Sequence, residues 1–237
     1  MYRILSLVCY KMIINGDCLE VMDKLIEQGV TVDCTITDIP YGEVSKNGAE
    51  RAKYQGQLRK IDKGQADILE FDLEAFLEKV SILTNGGIYI FCGIEQISII
   101  YKYFDNHKDF MVRQCAWRKT NPSPVNGQYM WLSSFENCIF AKKRKTKFNQ
   151  SCKSSVWDFP VGRKKYGHPT EKPEPLFHYL MESSSDKNDT IFDPCMGSGT
   201  LGAVAKKANR NFIGIELDET YFEIAKNRIE SIQPNLF

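Results

Sequence analysis

The fold is decided by one stretch near the carboxyl terminus, "TIFDPCMGSGTLGAVAKKANRNFIGIEL", residues 190–217. Its first residues are apolar and β-prone, a glycine-rich turn follows, and "TLGAVAKKA" then has a helical composition. A G-x-G-x-x-G pattern is formed by Gly197, Gly199 and Gly202. Glu216 ends the next apolar run, about twenty residues after the pattern begins. The order of strand, glycine turn, helix, strand and acid predicts a βαβ unit that binds a nucleoside-type ligand.

The kind of nucleoside is indicated by Asp193, which stands just before the glycine turn. A carboxylate there would repel the pyrophosphate of NAD, which prefers the amino terminus of the helix. The same carboxylate would attract a cation, such as the amino group of S-adenosylmethionine. The residues therefore favour S-adenosylmethionine. A tight turn with packing glycines and an NAD-dependent oxidoreductase stay open as alternatives.

Strand-like and helix-like runs alternate along the rest of the chain. Short apolar runs such as "KMIING", "VDCTITD" and "GIYIFCG" are typical of buried strands, and "CLEVMDKLIEQ" is typical of an amphipathic helix. The runs "MVRQCAWRK" and "ENCIFAKK" indicate an antiparallel pair at a sheet edge. A helix in "ILEFDLEAFLEKVSIL" is expected to end at the cap signal Asn85-Gly86-Gly87. The alternation predicts an α/β fold with a doubly wound, mostly parallel sheet, which binds ligands at the carboxyl ends of its strands.

Composition favours one domain with neither a bulk polyanion partner nor a membrane partner. The 237 residues, 43% of them hydrophobic, are enough for one core, and the net charge is only +1. No apolar run reaches the roughly 20 residues of a bilayer span, and "MYRILSLVCYK" is a poor signal peptide. Eight cysteines without a C-x-x-C pair and three scattered histidines predict reduced thiols, no metal site and a cytoplasmic location. Residues 1–11 are interpreted as an extension before Met12, within a single domain over 1–237.

A second candidate site is "TITDIPYG", residues 35–42, where an apolar strand stops at an acid. Asp38, Ile39, Pro40 and Tyr41 follow one another at this point. Aspartate, proline and glycine all favour turns, so a simple turn from strand to loop is one interpretation. The other is a clamp for a flat group that carries an amine, because a clamp would use both the carboxylate and the aromatic ring.

Six ordered motifs resemble the circularly permuted β group of DNA methyltransferases that modify exocyclic amino groups. "DIPY" resembles the catalytic Asp-Pro-Pro-Tyr of that family, and "DPCMGSGT" resembles its cofactor loop. "HPTEKP" at residues 168–173, "NGDCLEVM", "WRKTNPSP" and "ENCIFAKK" are similar to other family motifs. The likeness covers nearly the whole chain from Met12. It implies a Rossmann-like sheet of seven strands, mostly parallel with one antiparallel strand near the edge, and S-adenosylmethionine as the methyl donor.

The resemblance also implies which residues contact the cofactor. Asp17 would lie near its adenine, and Thr170 and Lys172 would be polar contacts at its methionine end. Glu216 would accept hydrogen bonds from its ribose hydroxyls. The full predicted set is Asp17, Cys18, Asp38, His168, Thr170, Lys172, Asp193, Pro194, Gly197, Ser198, Gly199, Thr200, Glu216 and Leu217.

The chemistry of a clamp explains why its four predicted catalytic residues, Asp38, Ile39, Pro40 and Tyr41, occur together. The exocyclic amine of a base is a poor nucleophile, because its lone pair is delocalised into the ring. The ionised Asp38 carboxylate can accept a hydrogen bond from this amine. The resemblance implies a second bond to the Ile39 carbonyl and a base stacked on Tyr41. Ile39 replaces the family's usual proline and loses its fixed φ, although Pro40 still restrains Ile39 to the extended region.

A base within a duplex must be flipped out to reach such a clamp. Residues 43–64 follow the clamp and carry several cations, so a loop that closes over the base through Arg59 and Lys60 is one hypothesis. A small basic insert at about 142–167 stands where the family places target recognition, and Asp158 is its single acid. A solvated face is the alternative for both segments. In the insert, phosphate contacts are predicted for Lys143, Arg144, Lys145, Arg163, Lys164 and Lys165.

These expectations converge on a site-specific DNA methyltransferase that moves a methyl group from S-adenosylmethionine to adenine N6 in duplex DNA after base flipping. The acid Asp38 favours adenine, because the cytosine-N4 enzymes of the resembled family more often carry serine there. Cytosine-N4 transfer is the first alternative, followed by an inactive DNA-binding homologue and an NAD-dependent oxidoreductase. Double-stranded DNA is the expected partner. A homodimer and a cognate restriction endonuclease are left open.

Overall fold

A computed structural model describes residues 11–41, 71–125, 127–162, 166 and 171–233 of the chain. Within these ranges, strands and helices alternate as the sequence predicts, except that β4, β5 and β6 follow one another without a helix between them. The strands are β1 (Lys11–Asn15), β2 (Val32–Asp38), β3 (Thr84–Cys92), β4 (Phe110–Lys119), β5 (Phe135–Lys143), β6 (Val156–Phe159), β7 (Thr190–Asp193) and β8 (Asn211–Glu216). The helices are α1 (Cys18–Glu27), α2 (Leu73–Leu83), α3 (Ile97–Asn106), α4 (Glu174–Ser184), α5 (Thr200–Lys207) and α6 (Glu219–Ser231). No helix in the described ranges is long and apolar enough to cross a bilayer.

The strands form one mostly parallel sheet in the order β1-β8-β7-β2-β3-β5-β4-β6. Only β5 runs antiparallel to its neighbours, β3 and β4, which confirms the predicted antiparallel pair. The sheet has eight strands within the described residues, one more than the resemblance implies, because β6 pairs in parallel with β4. With four residues, β6 is too short to show a periodic pattern, and it places the antiparallel pair one strand in from the edge.

Both faces of the sheet are covered by helices, so its central strands are buried on both sides. In β3, Ile88 and Ile90 pack into the core under α1, α2 and α3, while Tyr89 and Phe91 pack into the core under α4, α5 and α6. This alternation follows from the two-residue period of a strand. It explains why β3 has an uninterrupted apolar run, as is usual in parallel sheets. Each such side chain contributes about 1.5–3 kcal/mol when fully buried.

The predicted helix cap at residues 85–87 is wrong, because this segment belongs to β3. Helix α2 ends at Leu83 and the strand begins at once with Thr84. A Cβ atom on Gly86 would lie 2.2 Å from the carbonyl oxygen of Asp33 in β2. Gly86 is therefore required by a close approach of two strands, at a point where their register shifts.

The strand order reverses its direction between β7 and β2, which places the switch point of the sheet there. From β7 the chain passes through α5 to β8 on one side, while from β2 it passes on to β3 on the other. The carboxyl ends of these neighbouring strands carry Asp193, Asp38 and Glu216. Open α/β sheets bind ligands in the crevice outside such a switch point. Three acids predicted as site residues therefore meet at the edge where a ligand is expected.

Candidate active site

The clamp residues lie where the buried strand β2 reaches the surface. The carboxylate of Asp38 is fixed by two donors from different parts of the chain. The hydroxyl of Tyr41 donates to its Oδ1 atom at 2.7 Å, and the ammonium of Lys172 contacts its Oδ2 atom. The side chain of Asp38 is 20% exposed, so its carboxylate is still accessible to a substrate although two donors hold it.

Asp38 belongs to a row of alternating charges. The Nζ atom of Lys172 lies 3.0 Å from Oε2 of Glu136, and Nζ of Lys119 lies 2.9 Å from Oε1 of Glu136. Burial raises the pKa of Asp38, and the charge of Lys172 opposes that rise. Burial alone would lower the pKa of Lys172, but the two carboxylates beside it raise the pKa above its usual value. The charge of Lys172 therefore favours the ionised form of Asp38, which is the acceptor form that a clamp requires, against the effect of burial.

The peptide after Asp38 is held by main-chain and side-chain hydrogen bonds. The side chain of Ile39 is buried in the core, and its N–H group donates to the carbonyl of Phe91 at 3.3 Å. The carbonyl of Pro40 accepts a hydrogen bond from Nε2 of Gln96 at 2.8 Å. Sequence analysis identifies neither Gln96 nor Glu136 as a site residue, because each acts through a contact distant in sequence.

An open cleft lies beside the clamp, at the ends of β1, β7 and β8. Five of the predicted cofactor residues line it, namely Asp17, Cys18, Pro194, Glu216 and Leu217. Pro40 of the clamp lines the same cleft, as does Phe71. The cleft therefore joins the two sites that the sequence indicates separately. Asp17 also caps α1, since its Oδ1 atom accepts the N–H group of Leu19 at 2.8 Å.

The glycine turn adopts backbone conformations that other residues avoid. Gly197 and Gly199 have φ values of 51° and 73°, in the left-handed region. The N–H group of Gly197 donates to Oε2 of Glu216 at 2.8 Å, and that of Asp218 donates to Oε1 at 2.8 Å. A Cβ atom on Gly202 would lie 2.4 Å from Cδ1 of Ile229, so this glycine permits helix packing. The pattern thus serves both the turn and the packing of α5 on α6.

The chemistry of the acids in this region fits S-adenosylmethionine. Asp193 is 3% exposed, and burial raises its pKa to about 7. Asp38 and Glu216, whose charges raise that pKa further, are also acidic, so a cationic ligand would relieve the repulsion among them. Glu216 is fixed by two backbone donors and retains lone pairs for the hydroxyls of a ribose. A buried acid beside an anchored acid therefore suits an ammonium group and a ribose on one ligand.

Arg228 is a further residue that sequence analysis misses. Its Nη1 atom donates to the Thr200 hydroxyl at 3.0 Å and to the Ser198 carbonyl at 3.2 Å. It also forms ion pairs with Glu171 at 3.2 Å and Glu174 at 2.9 Å. Ser198 and Thr200, predicted as cofactor contacts, are therefore tied to α6. The sequence does indicate a buried role for Arg228, because Arg228 lies on the same face of α6 as the buried apolar residues Ala225 and Ile229.

The structure places Lys172 at the clamp, where its ammonium group lies against Asp38 and Glu136. Its contact with the methionine end of the cofactor stays a prediction. His168 and Thr170, from the same predicted motif, lie outside the described residues.

The basic residues at the end of β5, Lys143 to Lys145, are not brought near the clamp. Because β5 is antiparallel, Phe135 is at the clamp edge and Lys143 pairs with Phe110 at the opposite edge. The strand has nine residues, which at roughly 3.4 Å per residue span about 27 Å. Arg144 donates to the carbonyl of Lys108 at 2.7 Å at that far edge. Lys145 follows there as well, whereas Arg59, Lys60, Arg163, Lys164 and Lys165 lie outside the described residues.

Comparison with known proteins gives consistent findings. The sequence model of a family described as DNA methylase matches residues 32–227 of the chain. The Type II methyltransferase M.HinfI of Haemophilus influenzae is 30% identical over 254 aligned residues, covering 94% of this chain and 69% of that protein.

Two solved structures extend the comparison to the fold. The crystal structure of the M1.HpyAVI–SAM complex has 30% identity and a TM-score of 0.71, covering 92% of this chain and 98% of that chain. The cytosine-N4-specific PvuII DNA methyltransferase has a TM-score of 0.69 at 15% identity, covering 95% and 87% of the two chains. The second likeness is one of fold alone.

Proposed function

Because the chain belongs to the DNA methylase family, we propose that it transfers a methyl group to the N6 amine of adenine in duplex DNA. The chain is a methyltransferase, and S-adenosylmethionine is its methyl donor. The observation that carries the proposal is the Asp38 carboxylate, which Lys172 and Tyr41 fix two residues before Pro40, a residue that lines the cleft. Such a carboxylate is suited to an amine that must be positioned rather than deprotonated in advance.

Asp193 and the residues of the cleft would bind different parts of the cofactor. When bound, S-adenosylmethionine supplies a methyl group on a positively charged sulfur. The carboxylate of Asp193 would attract its ammonium group, and Glu216 would accept hydrogen bonds from its ribose. Leu217 and Phe71 provide apolar surface in the same cleft.

The clamp would act on the amine of a flipped base. Asp38 would accept one N–H group and the carbonyl of Ile39 the other, which favours a pyramidal nitrogen with an available lone pair. Lys172 and Tyr41 hold the carboxylate so that this geometry exists before the base arrives. The methylated amine must then lose a proton, and the raised pKa of Asp38, caused by burial, suits it to accept one.

Adenine is favoured over cytosine by the acid at position 38. In the resembled family, an acid here is more usual among adenine-N6 enzymes, whereas cytosine-N4 enzymes more often carry serine. Cytosine N4 is the second candidate, because its amine has nearly the same geometry. The fold does not discriminate, since a cytosine-N4-specific enzyme has a similar fold.

Identification of the methylated nucleoside tests the proposal. The protein is incubated with labelled S-adenosylmethionine and mixed unmethylated DNA, and the DNA is digested to nucleosides. Label in N6-methyladenine is the expected result, while label in N4-methylcytosine would assign the enzyme to the alternative. Asp38→Ala is the control, because it should abolish transfer and leave cofactor binding measurable by calorimetry.

A further inference from the structure

Exposed apolar side chains are concentrated in the segment between β4 and β5, residues 120–134. Trp131 is 96% exposed, whereas Trp117 and Trp157 are only 2% and 8% exposed. Tyr129 and Met130 beside it are also largely exposed. A contiguous patch of large apolar side chains in water is unfavourable unless a partner covers it.

Both ends of this segment lie at the clamp edge of the sheet. It begins after Lys119 and ends before Phe135, and the N–H group of Lys119 donates to the carbonyl of Ser134 at 2.7 Å. Lys119 pairs with Glu136, which contacts Lys172 and through it the catalytic carboxylate. Trp131 is four residues from Phe135, so its Cα atom lies within about 14 Å of that strand end.

The base of the segment is anchored while its tip is not packed. Asn121 forms two hydrogen bonds with the backbone of Val161, at 2.6 and 3.3 Å. Residues 120–134 contain no charged side chain, so the tip has no cation to attract a phosphate and no acid that would repel one. Uncharged rings on an anchored segment suit the faces of bases.

We propose that Trp131, with Tyr129 and Met130, stacks on the bases of the duplex and fills the space that the flipped base leaves. The proposal rests on the proposed function, since it requires a base to be extruded into the clamp. Flipping breaks base stacking, and apolar wedges inserted between base steps are a known way to stabilise an opened duplex. The location beside the clamp and the absence of charge favour this partner over a second protein surface.

The intrinsic fluorescence of the protein tests the proposal without labels, because Trp131 is the tryptophan that solvent reaches. Acrylamide quenching is measured with and without unmethylated duplex DNA. The expected result is strong quenching in the free protein and marked protection on DNA binding. Trp131→Ala should weaken DNA binding by about tenfold to a hundredfold, the loss of one base–aromatic stack, and leave cofactor affinity unchanged. Tyr101→Ala, an exposed ring on α3, is the matched control with no expected change.

Three outcomes would contradict the proposal. They also distinguish failure of the stacking role from failure of the proposed function. The protein could methylate DNA while acrylamide quenches Trp131 equally with and without the duplex. That result would refute the stacking role and leave the methyltransferase proposal intact. Protection that depends on protein concentration without DNA would assign the segment to a second copy of the chain. Absence of transfer to any DNA would contradict the proposed function, on which the stacking role rests.

A second feature of the clamp is its contact with the side chain of Gln96. Gln96 is almost fully buried, and both ends of its amide are used. Its Nε2 atom donates to the carbonyl of Pro40 at 2.8 Å, and its Oε1 atom accepts the N–H group of Gly93 at 2.9 Å. One side chain therefore joins the clamp peptide to the end of β3.

We infer that Gln96 is a positioning residue that supplies the rigidity lost at position 39. The resembled motif has proline at this position, whereas Ile39 has no ring to fix its φ. The bond from Gln96 fixes the peptide that joins Pro40 to Tyr41. The ring of Tyr41 and the preceding Ile39 carbonyl are then held in one orientation relative to β3.

A double-mutant cycle between positions 39 and 96 tests this inference. Gln96→Met keeps the side-chain length and removes both hydrogen bonds, and kcat should fall about tenfold with an unchanged Kd for S-adenosylmethionine. The loss of kcat caused by Gln96→Met should be clearly smaller when position 39 is already proline. Ile39→Pro also removes the hydrogen bond to Phe91, but that cost is present in both members of the comparison and cancels. Equal losses in both backgrounds would overturn the role. If Ile39→Pro does not fold, a Gln96→Met enzyme with lower thermal stability and intact kcat would overturn it as well.

Discussion

The ammonium group of Lys172 lies against the carboxylate of Asp38, although 134 residues separate them in the sequence. The contact joins the segment before α4 to the end of β2, and the side chain of Lys172 is buried there. A buried carboxylate would otherwise take up a proton readily, because burial disfavours its charged form. The carboxylate that we propose as the acceptor of the target amine is therefore paired with a lysine from another motif.

Replacement of Lys172 by methionine should raise the pKa of Asp38 further, since burial would then act without its main opposing charge. We expect kcat at neutral pH to fall about 10- to 150-fold, the loss of a hydrogen bond to a charged group. The rate should recover partly as the pH is raised, because the carboxylate ionises again. A pH–rate profile checks this, with Lys119→Met as the control one charge further away. Identical profile shapes for Lys172→Met and the unaltered enzyme would refute the role.

Cofactor affinity should depend on pH through Asp193, whose pKa burial raises to about 7. Because folding raises this pKa, the group stabilises the free protein fully below pH 3.8, and that contribution is lost as the pH rises through about 7. Below about pH 7 the free protein favours the protonated form of Asp193, whereas a bound ammonium group would favour its ionised form. We expect affinity for S-adenosylmethionine to increase about tenfold between about pH 6 and 8. Calorimetry of Asp193→Asn should show weaker binding without this slope, and an equal slope in that variant would argue against the assignment.

Removal of the buried guanidinium at Arg228 should loosen the glycine turn. Arg228→Met removes the ion pairs that Arg228 forms with Glu171 and Glu174, and it removes the donor to the Thr200 hydroxyl. Glu174 keeps its pair with Lys207. The free energy of unfolding should decrease by about 3–5 kcal/mol, as for other broken buried pairs, and cofactor affinity should decrease with it. Lys226→Met on the same helix is the control, because its exposed pair should contribute at most about 1 kcal/mol. Urea unfolding compares the two, and equal losses would contradict the anchoring role.

Two glycines with similar φ values separate backbone strain from steric exclusion. Gly199 has φ 73° and a Cβ atom there would lie 2.9 Å from Cβ of Ala225, whereas Gly29 has φ 68° and no atom within 4 Å. Gly29→Ala should therefore cost about 1 kcal/mol for backbone strain alone. Gly199→Ala should cost clearly more, and it should also reduce cofactor affinity. Equal free energies of unfolding for the two variants would show that α6 can move away from the added methyl group at no cost in stability.

Local sequence spacing was sufficient to predict the βαβ unit, the mostly parallel sheet and the acids at its carboxyl edge. These features depend on residues close together in the chain, such as the turn from Asp193 to Thr200. The contacts of Gln96 with Pro40 and of Arg228 with the glycine turn link residues 28 to 56 positions apart. No periodicity encodes such pairs, because they arise only when separate elements pack.

The position of the basic residues could not be predicted for a related reason. Sequence places Lys143 and Arg144 soon after Glu136, but the direction of β5 decides which edge of the sheet each reaches. Glu136 lies at the clamp and Lys143 at the opposite edge, so nearness in sequence does not mean nearness to the site. A prediction of phosphate contact at Lys143, Arg144 and Lys145 therefore concerns a surface distant from the clamp.

The most direct test of the account compares the nucleosides methylated by the unaltered enzyme with those methylated by Asp38→Asn. Asparagine keeps the shape of the side chain but removes the charge that Lys172 and Tyr41 hold in place. We expect N6-methyladenine from the unaltered enzyme, and loss of transfer in the variant at full occupancy of S-adenosylmethionine. Transfer by Asp38→Asn at an unchanged rate, or methylation of cytosine N4 by the unaltered enzyme, would contradict this expectation.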